Sequence, residues 1–128
     1  MSAILLAITL AWTCVFPLPL PPNRAPVTGE DAVVVTSFTT FLEIPVTAND
    51  SDPEGQPLHV AGLANTVRGQ AVLLDGETLG VFPEFPVVID AFDMSPVLIG
   101  SGDYVISDGN RASVGHWSVY FQPLPVFL

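Results

Sequence analysis

Cysteine and basic residues are scarce in this sequence. Among 128 residues there is a single cysteine, Cys14, and all three basic residues are arginine. One cysteine excludes an intrachain disulfide, and it excludes a metal site or a redox pair built on cysteines. The 13 acidic residues give a net charge of −10, which argues against a nucleic-acid partner because binding to phosphates depends on Lys and Arg. The same charge opposes docking on anionic lipid, whereas it suits solubility, calcium or a basic partner.

The sequence also lacks catalytic signatures. Its two histidines, His59 and His116, lie in separate strand-like runs, and there is no Gly-x-Ser-x-Gly elbow and no His-x-x-x-His or Cys-x-x-Cys metal spacing. Acid pairs such as Asp90 and Asp93 could form a glycosidase dyad, but 13 acidic residues produce such pairs by chance. We therefore expect no enzyme activity.

No stretch of ten residues follows the helical period of about 3.6 residues. Short apolar runs alternate instead with turn signals, of which Asp75-Gly76 and Asp108-Gly109 are the strongest for two-residue hairpin turns, and Gly100-Ser101-Gly102 is a further one. The predicted strands are Ala32–Val35, Thr39–Ile44, Leu58–Gly62, Gln70–Leu74, Leu79–Phe82, Val87–Phe92, Tyr104–Ser107 and Ser113–Phe121. Seven or eight short strands at this spacing predict an all-β sandwich, with Tyr104 and Ile106 facing inward.

The segment from Met1 to Phe16 is uncharged and strongly apolar, and it allows three interpretations. As a strand it places Ile4, Leu6, Ile8, Leu10, Trp12, Cys14 and Phe16 on one face and mostly small residues on the other. As a secretory signal it has an apolar region of suitable length, but no Lys or Arg precedes that region and no A-x-A site follows. As a membrane helix it is too short, because about 20 apolar residues are needed and Pro17 ends the run. We favour the strand-like arm.

The chain therefore divides into four parts. Residues 1–16 form the apolar N-terminal arm, residues 17–22 a semi-rigid proline-rich spacer, residues 23–122 the domain, and residues 123–128 an apolar C-terminal tail. Exposed apolar termini favour a location in an interface. The predicted assembly interface comprises Ile4, Leu6, Ile8, Leu10, Trp12, Phe16, Val126, Phe127 and Leu128.

Three segments carry a family resemblance: Asn23–Pro26, Val46–Leu58 with its acidic loop, and Tyr104–Asn110. Their order resembles that of bacterial cadherin-like, immunoglobulin-like repeats, which occur in tandem in large surface and adhesion proteins. The resemblance covers about Asn23 to Phe121 and implies an immunoglobulin-like (cadherin-like) antiparallel β-sandwich of about seven strands. Two features depart from the pattern. Such repeats usually have an aromatic residue where Gly102 stands, and Glu84–Leu98 is longer and more apolar than expected.

The acidic loop offers hard oxygen ligands of the kind that Ca²⁺ prefers, in Asn49, Asp50, Asp52 and Glu54. The resemblance permits calcium at such loops. The competing interpretation is turn formation, because Asn and Asp bind their own backbone in turns and Asp52-Pro53-Glu54-Gly55 has the composition of one. We favour turn formation, with no cofactor required and calcium as the alternative.

The leading functional hypothesis is a non-enzymatic structural module that self-assembles through its N-terminal arm into an extracellular filament or decorates a virion surface. Its partners would be other copies of itself or other structural subunits, and we expect no membrane span. The alternative is a secreted cell-surface adhesion module with a cleaved signal peptide that binds carbohydrate or protein. Both hypotheses place the protein outside the cell, at a cell surface or on a virion.

Overall fold

The computed structural model describes residues 22–85 and 93–124. In these ranges the chain forms seven strands and a short 3-10 helix, Val46–Asn49, between the second and third strands. The strands are β1 (Glu30–Val35), β2 (Leu42–Ile44), β3 (His59–Val67), β4 (Gln70–Leu73), β5 (Leu79–Phe82), β6 (Val97–Ser107) and β7 (Ala112–Phe121). No helix in the described ranges is both long enough and apolar enough to span a bilayer.

The strands form two sheets. The larger has the order β1-β7-β6-β3 and the smaller has the order β2-β5-β4. Strand pairs are antiparallel except for β1, which runs parallel to β7 from Glu30 opposite His116 to Val35 opposite Phe121. The predicted immunoglobulin-like sandwich is confirmed, with one parallel pair in an otherwise antiparallel arrangement.

The core lies between the two sheets, and alternate residues of the long strand β6 face it. In β6, Tyr104 and Ile106 are fully buried, which confirms the predicted inward pair. In β7, Trp117, Val119 and Phe121 face the core, and the position of β7 between β1 and β6 makes it a central strand. The buried hydrophobic core consists of Ile44, Val46, Val60, Leu79, Val81, Ile99, Tyr104, Ile106, Trp117, Val119 and Phe121.

The predicted turn at Gly100-Ser101-Gly102 is wrong, because these residues lie inside the long strand β6. Gly102 pairs directly with Trp117 across the sheet. A Cβ on Gly102 would lie 2.8 Å from the indole nitrogen of Trp117, so the glycine leaves room for a large side chain. Glycine in this strand allows close packing against Trp117. A sequence pattern cannot distinguish a glycine used in this way from a glycine in a turn.

The two predicted hairpins exist, but neither has a two-residue turn. Between β4 and β5 the chain takes a five-residue path, residues 74–78, in which Asp75 Oδ1 accepts hydrogen bonds from the backbone N–H groups of Glu77 and Thr78, both at 2.7 Å. Between β6 and β7 the connection is residues 108–111, and Gly109 has φ +96°. Asp side chains that bind the following backbone stabilise such longer turns.

A two-residue turn joins β3 to β4 at Arg68-Gly69, where the sequence offered no clear signal. Both residues have positive φ, 57° for Arg68 and 102° for Gly69. Arginine seldom adopts this conformation, so the turn was missed. The predicted strand Val87–Phe92 lies outside the described residues.

Candidate functional site

One end of the sandwich gathers the start of the domain, the acidic loop and the connection between β6 and β7. Asn23 Nδ2 donates a hydrogen bond to Asp108 Oδ2 at 2.9 Å. Arg24 Nε donates to Glu54 Oε2 at 2.8 Å, and its backbone N–H donates to the other oxygen of the same carboxylate. We call this region, made of residues 23–29, 49–56 and 108–111, the acidic end. The polypeptide that precedes the domain therefore joins it at a fixed place.

The four predicted calcium ligands make separate hydrogen bonds at the acidic end. Asn49 donates to the backbone carbonyl of Glu30 at 2.9 Å. Asp50 accepts from the backbone of Gly29 at 2.8 Å through Oδ1, and its other oxygen is also engaged. Glu54 is held by Arg24. Within the described ranges, no three acidic, histidine or cysteine side chains lie close enough together to hold a metal ion.

A buried tyrosine hydroxyl links two carboxylates from different elements. Tyr104 is fully buried, and its hydroxyl lies 2.8 Å from Asp50 Oδ2 and 2.9 Å from Asp31 Oδ2. One hydroxyl has one hydrogen, so it can donate to only one of these carboxylates at a time. Burial is the main cause that raises the pKa of Asp31, and the negative charge of Asp50 raises it further. The hydrogen bond from Tyr104 acts in the opposite direction and lowers it. Burial and the two carboxylates also raise the pKa of the Tyr104 hydroxyl.

This arrangement ties β1, the acidic loop and β6 together around one side chain. Sequence analysis identified Tyr104 as a core residue and Asp50 as a loop residue, but it did not single out Asp31. The Tyr104 and Asp31 positions are 73 residues apart, and no local pattern signals such a contact.

The acidic end contains a second group of side-chain oxygens, distinct from those around the Tyr104 hydroxyl. Asp52 Oδ2 accepts hydrogen bonds from the backbone N–H groups of Glu54 and Gln56, both at 2.9 Å. Asp108 Oδ1 accepts from the backbone N–H groups of residues 110 and 111. The backbone N–H of Arg111 is the main cause that lowers the pKa of Asp108 to about 2, and the hydrogen bond from Asn23 lowers it further. The Asp52 side chain also influences the pKa of Asp108, so the two carboxyl groups lie near each other at the acidic end.

Three oxygens in this second group are buried and have no hydrogen-bond donor. They are Asn23 Oδ1, Asp52 Oδ1 and Gln56 Oε1. A buried acceptor without a partner is unfavourable by about 1–3 kcal/mol. Carboxylate and amide oxygens are also the donor set that Ca²⁺ prefers. Of the residues predicted to bind calcium, only Asp52 contributes one of these buried acceptors.

The residues considered for catalysis are dispersed. His59 and His116 are exposed on β3 and β7, which are separated by β6. His116 Nδ1 lies 2.8 Å from Asp103 Oδ1, and this pair lies on the surface. Asp90 is outside the described residues, and the exposed Asp93 accepts a hydrogen bond from the backbone of Ser95.

All nine residues of the predicted assembly interface, from Ile4 to Phe16 and from Val126 to Leu128, lie outside the described residues. What the structure does describe is apolar surface on the domain itself. Large apolar side chains on the three-stranded sheet are 40% to 45% exposed at Phe41, Val72, Leu74 and Phe82. Contiguous exposed apolar surface is a common property of interaction sites.

The two-sheet topology is that of an immunoglobulin-like β-sandwich. The family model for the bacterial Ig domain matches residues 23–117, and the chain belongs to this family. No match was found among curated proteins or among solved structures. The domain as folded extends beyond the matched residues to the end of β7 at Phe121. The family is one of structural, surface-associated modules, in agreement with the expected class of function.

Proposed function

We propose that this protein is a structural module that self-assembles through its N-terminal arm, residues 1–16. The observation that carries the proposal is the anchoring of Asn23 and Arg24 to the acidic end. Because the domain begins at a fixed point, the arm of every copy is attached at the same place on its domain. An arm with seven large residues on one face gains stability when it pairs with another copy, since an unpaired apolar strand in water promotes association.

An extracellular filament fits this arrangement better than a closed pair. The arm leaves one copy at the acidic end and binds a different surface of the next copy. Such head-to-tail contacts are heterologous, and they form open chains unless the rotation between subunits closes a ring. Decoration of a virion surface uses the same contact when the arm binds another structural subunit.

The test is a comparison of three proteins by sedimentation velocity and electron microscopy. The full chain should form filaments or discrete particles. Deletion of Met1–Pro22 should give a folded monomer, because the family match begins at residue 23 and the described residues enclose a complete core. A matched control keeps the length of the arm but changes Ile4, Leu6, Ile8 and Leu10 to Ser. It should also remain monomeric, which would assign assembly to the apolar side chains.

Normal assembly of the truncated protein would contradict the proposal. A natural protein that starts near Pro17, as determined by mass spectrometry, would favour a secreted adhesion module with a cleaved signal peptide. The two functions are thus separated by one measurement of mass and one of assembly.

We further propose a calcium site on the second group of oxygens, because three of them are buried without a donor. Asp52 and Asp108 would supply charge and Asn23 and Gln56 would supply amide oxygens, so that the ion ties the start of the domain to both loops. The turn interpretation still accounts for Asn49, Asp50 and Glu54, whose polar atoms make other hydrogen bonds.

Calorimetric titration with calcium alone and thermal unfolding with and without millimolar Ca²⁺ test this site. Binding to the folded state alone raises the melting temperature. Asp52→Asn should abolish the rise, and Asp93→Asn, which alters an exposed acid near Gln122 at the opposite end of β7, should preserve it. An unchanged melting temperature of the wild type in calcium would leave turn formation as the whole role of the acidic loop.

A further inference from the structure

The outer face of the three-stranded sheet carries an uncovered apolar surface between Gly80 and the β4 edge. The one acid that the three strands place on this face, Glu43, pairs with Gly80 from the opposite side, on β2. A Cβ at Gly80 would lie 2.8 Å from Phe41 Cε1 and 3.1 Å from Leu74 Cδ2, so both side chains lie over the glycine. The rings of Phe41 and Phe82 are 4.9 Å apart between centroids. Val72 pairs with Gly80 across β4 and β5, which places it on the same face. We call Phe41, Val72, Leu74, Phe82 and Gly80 the Gly80 face.

This face reaches an open edge of the sheet at β4. In the order β2-β5-β4, strand β4 pairs with β5 on one side, and on its other side no strand pairs with it among the described residues. Natural edge strands are usually protected by charge, proline, a bulge or short length. The other edges follow this rule: β1 begins with Glu30-Asp31, β2 has three residues including Glu43, and β3 contains two register shifts.

The edge at β4 is also short, with four residues, but it lacks the other kinds of protection. From Gly69 to Leu74 the sequence has no charged side chain and no proline, and Val72, Leu73 and Leu74 are 42%, 43% and 45% exposed. An uncharged edge strand with exposed apolar residues is a template for another strand. The Gly80 face and the β4 edge therefore form one continuous surface that can accept an added strand.

From this surface we propose that the β4 edge and the Gly80 face bind the arm segment Ile4–Phe16 of a second copy as an added strand. The inference rests on the proposed function and identifies the surface that receives the arm. In an added strand, alternate side chains lie on the same face of the sheet. The large residues of the arm would continue the apolar Gly80 face, and the small residues would face the opposite side of the sheet.

Charge also selects this pair of surfaces. Each copy carries a net charge of −10, so copies repel one another and contact is most favourable where neither side contributes an acid. No charged side chain occurs from Met1 to Asn23 or from Gly69 to Leu74. Contact between the arm and the β4 edge therefore buries no charged side chain. Burial of a charge without an opposite charge beside it would be unfavourable.

Lysine substitutions on the acceptor surface test the inference in the full chain. Val72→Lys and Leu74→Lys should each weaken association between copies at least about tenfold, as expected for a residue at the centre of an interface. Both side chains are nearly half exposed, so a lysine can extend into solvent and the domain should unfold at about the wild-type temperature. The matched control is Val114→Lys on β7, where a valine that is 62% exposed lies on the other sheet.

Cys14 provides a direct probe of the contact, because it is the only cysteine and belongs to the large face of the arm. A copy with its natural Cys14 is mixed with a copy that carries Cys14→Ser and Val72→Cys, so that only a contact between copies can form a disulfide. A disulfide requires Cα atoms within about 7 Å. Oxidation should give a crosslinked pair with Val72→Cys or Leu74→Cys and none with the control Val114→Cys.

The outcomes separate the two proposals. If deletion of Met1–Pro22 prevents assembly but both lysine variants assemble normally, the arm acts in assembly and the acceptor surface is misassigned. If the lysine variants fail to assemble and the truncated protein assembles normally, the β4 edge binds something other than the arm, and both proposals fail. Equal crosslinking at Val72→Cys and Val114→Cys would also overturn the assignment of the surface.

Discussion

Substitution of Gly115 by alanine should displace the ring of Tyr104 and break the contacts of its hydroxyl with Asp31 and Asp50. Gly115 lies directly opposite Tyr104 in the pairing of β6 with β7. A Cβ at this position would overlap the tyrosine ring, with Cε1 only 2.6 Å away and Cζ and the hydroxyl oxygen closer still. Real Cβ contacts lie near 3.5–4 Å. Since the ring is fully buried, it has to move as a unit, and its hydroxyl moves away from Asp31 and Asp50.

The expected loss of stability has two parts. Insertion of a methyl group into a well-packed core costs about 1–3 kcal/mol. Loss of a hydrogen bond to a charged group costs about 1.5–3 kcal/mol. We therefore expect Gly115→Ala to lower the free energy of unfolding by about 2.5–6 kcal/mol. This is a large part of the 5–15 kcal/mol that is typical of a domain.

Urea unfolding of a small set of variants separates these parts. Tyr104→Phe keeps the ring and removes the hydroxyl, so it should cost about 1.5–3 kcal/mol. In that background Gly115→Ala should cost only its steric part, about 1–3 kcal/mol, so the two substitutions should be less than additive. The control is Gly62→Ala on β3, where a Cβ meets nothing within 4 Å, and stability should be equal or slightly higher.

Two results would refute this reasoning. A cost below about 1 kcal/mol for Gly115→Ala would mean that the Tyr104 ring does not lie over the glycine. Equal costs of Gly115→Ala in the Tyr104 and Phe backgrounds would mean that the ring can shift without losing its contacts to the carboxylates.

Three further predictions concern stability. Ile106→Ala removes a fully buried side chain and should cost about 2–5 kcal/mol in urea unfolding; a cost below about 1 kcal/mol would mean that the register of β6 is misassigned. Gly102→Ala should cost about 1–3 kcal/mol because its Cβ meets the indole of Trp117, and Trp117→Phe should reduce that cost. Burial raises the pKa of Asp31, so the folded state binds the carboxyl proton more tightly than the unfolded state does. The protonated carboxyl therefore stabilises the fold at low pH, and this stabilisation is lost as the pH rises through the pKa of the folded state. The difference in melting temperature between Asp31→Asn and the wild type should therefore become more favourable to the variant as the pH rises from about 3 to 7. A difference that does not change with pH would contradict the raised pKa of Asp31.

Sequence patterns predicted the fold where side chains alternate strictly between two faces. The predicted bounds of β5 at Leu79–Phe82 match the structure, and the predicted inward pair Tyr104 and Ile106 is buried. In β6 burial follows a period of two from Gly100 to Ser107, which the sequence displays directly over Tyr104–Ser107. The start of β6 was missed because Gly100, Ser101 and Gly102 together have the composition of a turn.

The candidate sites at the acidic end could be predicted only in part. The acidic loop was visible as a cluster of Asn, Asp and Glu, but the use of each side chain depends on partners far along the chain. Asn23 meets Asp108 across 85 positions, and Tyr104 meets Asp50 across 54. Local composition therefore identified the loop, whereas the pairing of the two sheets decides which oxygens are used and which remain without a donor.

Gly102 is one position at which the sequence departs from the repeats that it resembles, where an aromatic residue is expected. The structure shows what occupies the space beside it. The indole of Trp117 lies over Gly102 from the adjacent strand and fills that space. In the same pair of strands Tyr104 lies over Gly115, so each large ring faces a residue without a side chain. A core requires a filled volume in a given place, and that volume can be supplied by either of two paired strands. At Gly102 the ring comes from β7 and at Gly115 it comes from β6, so each strand fills the space that the other leaves open.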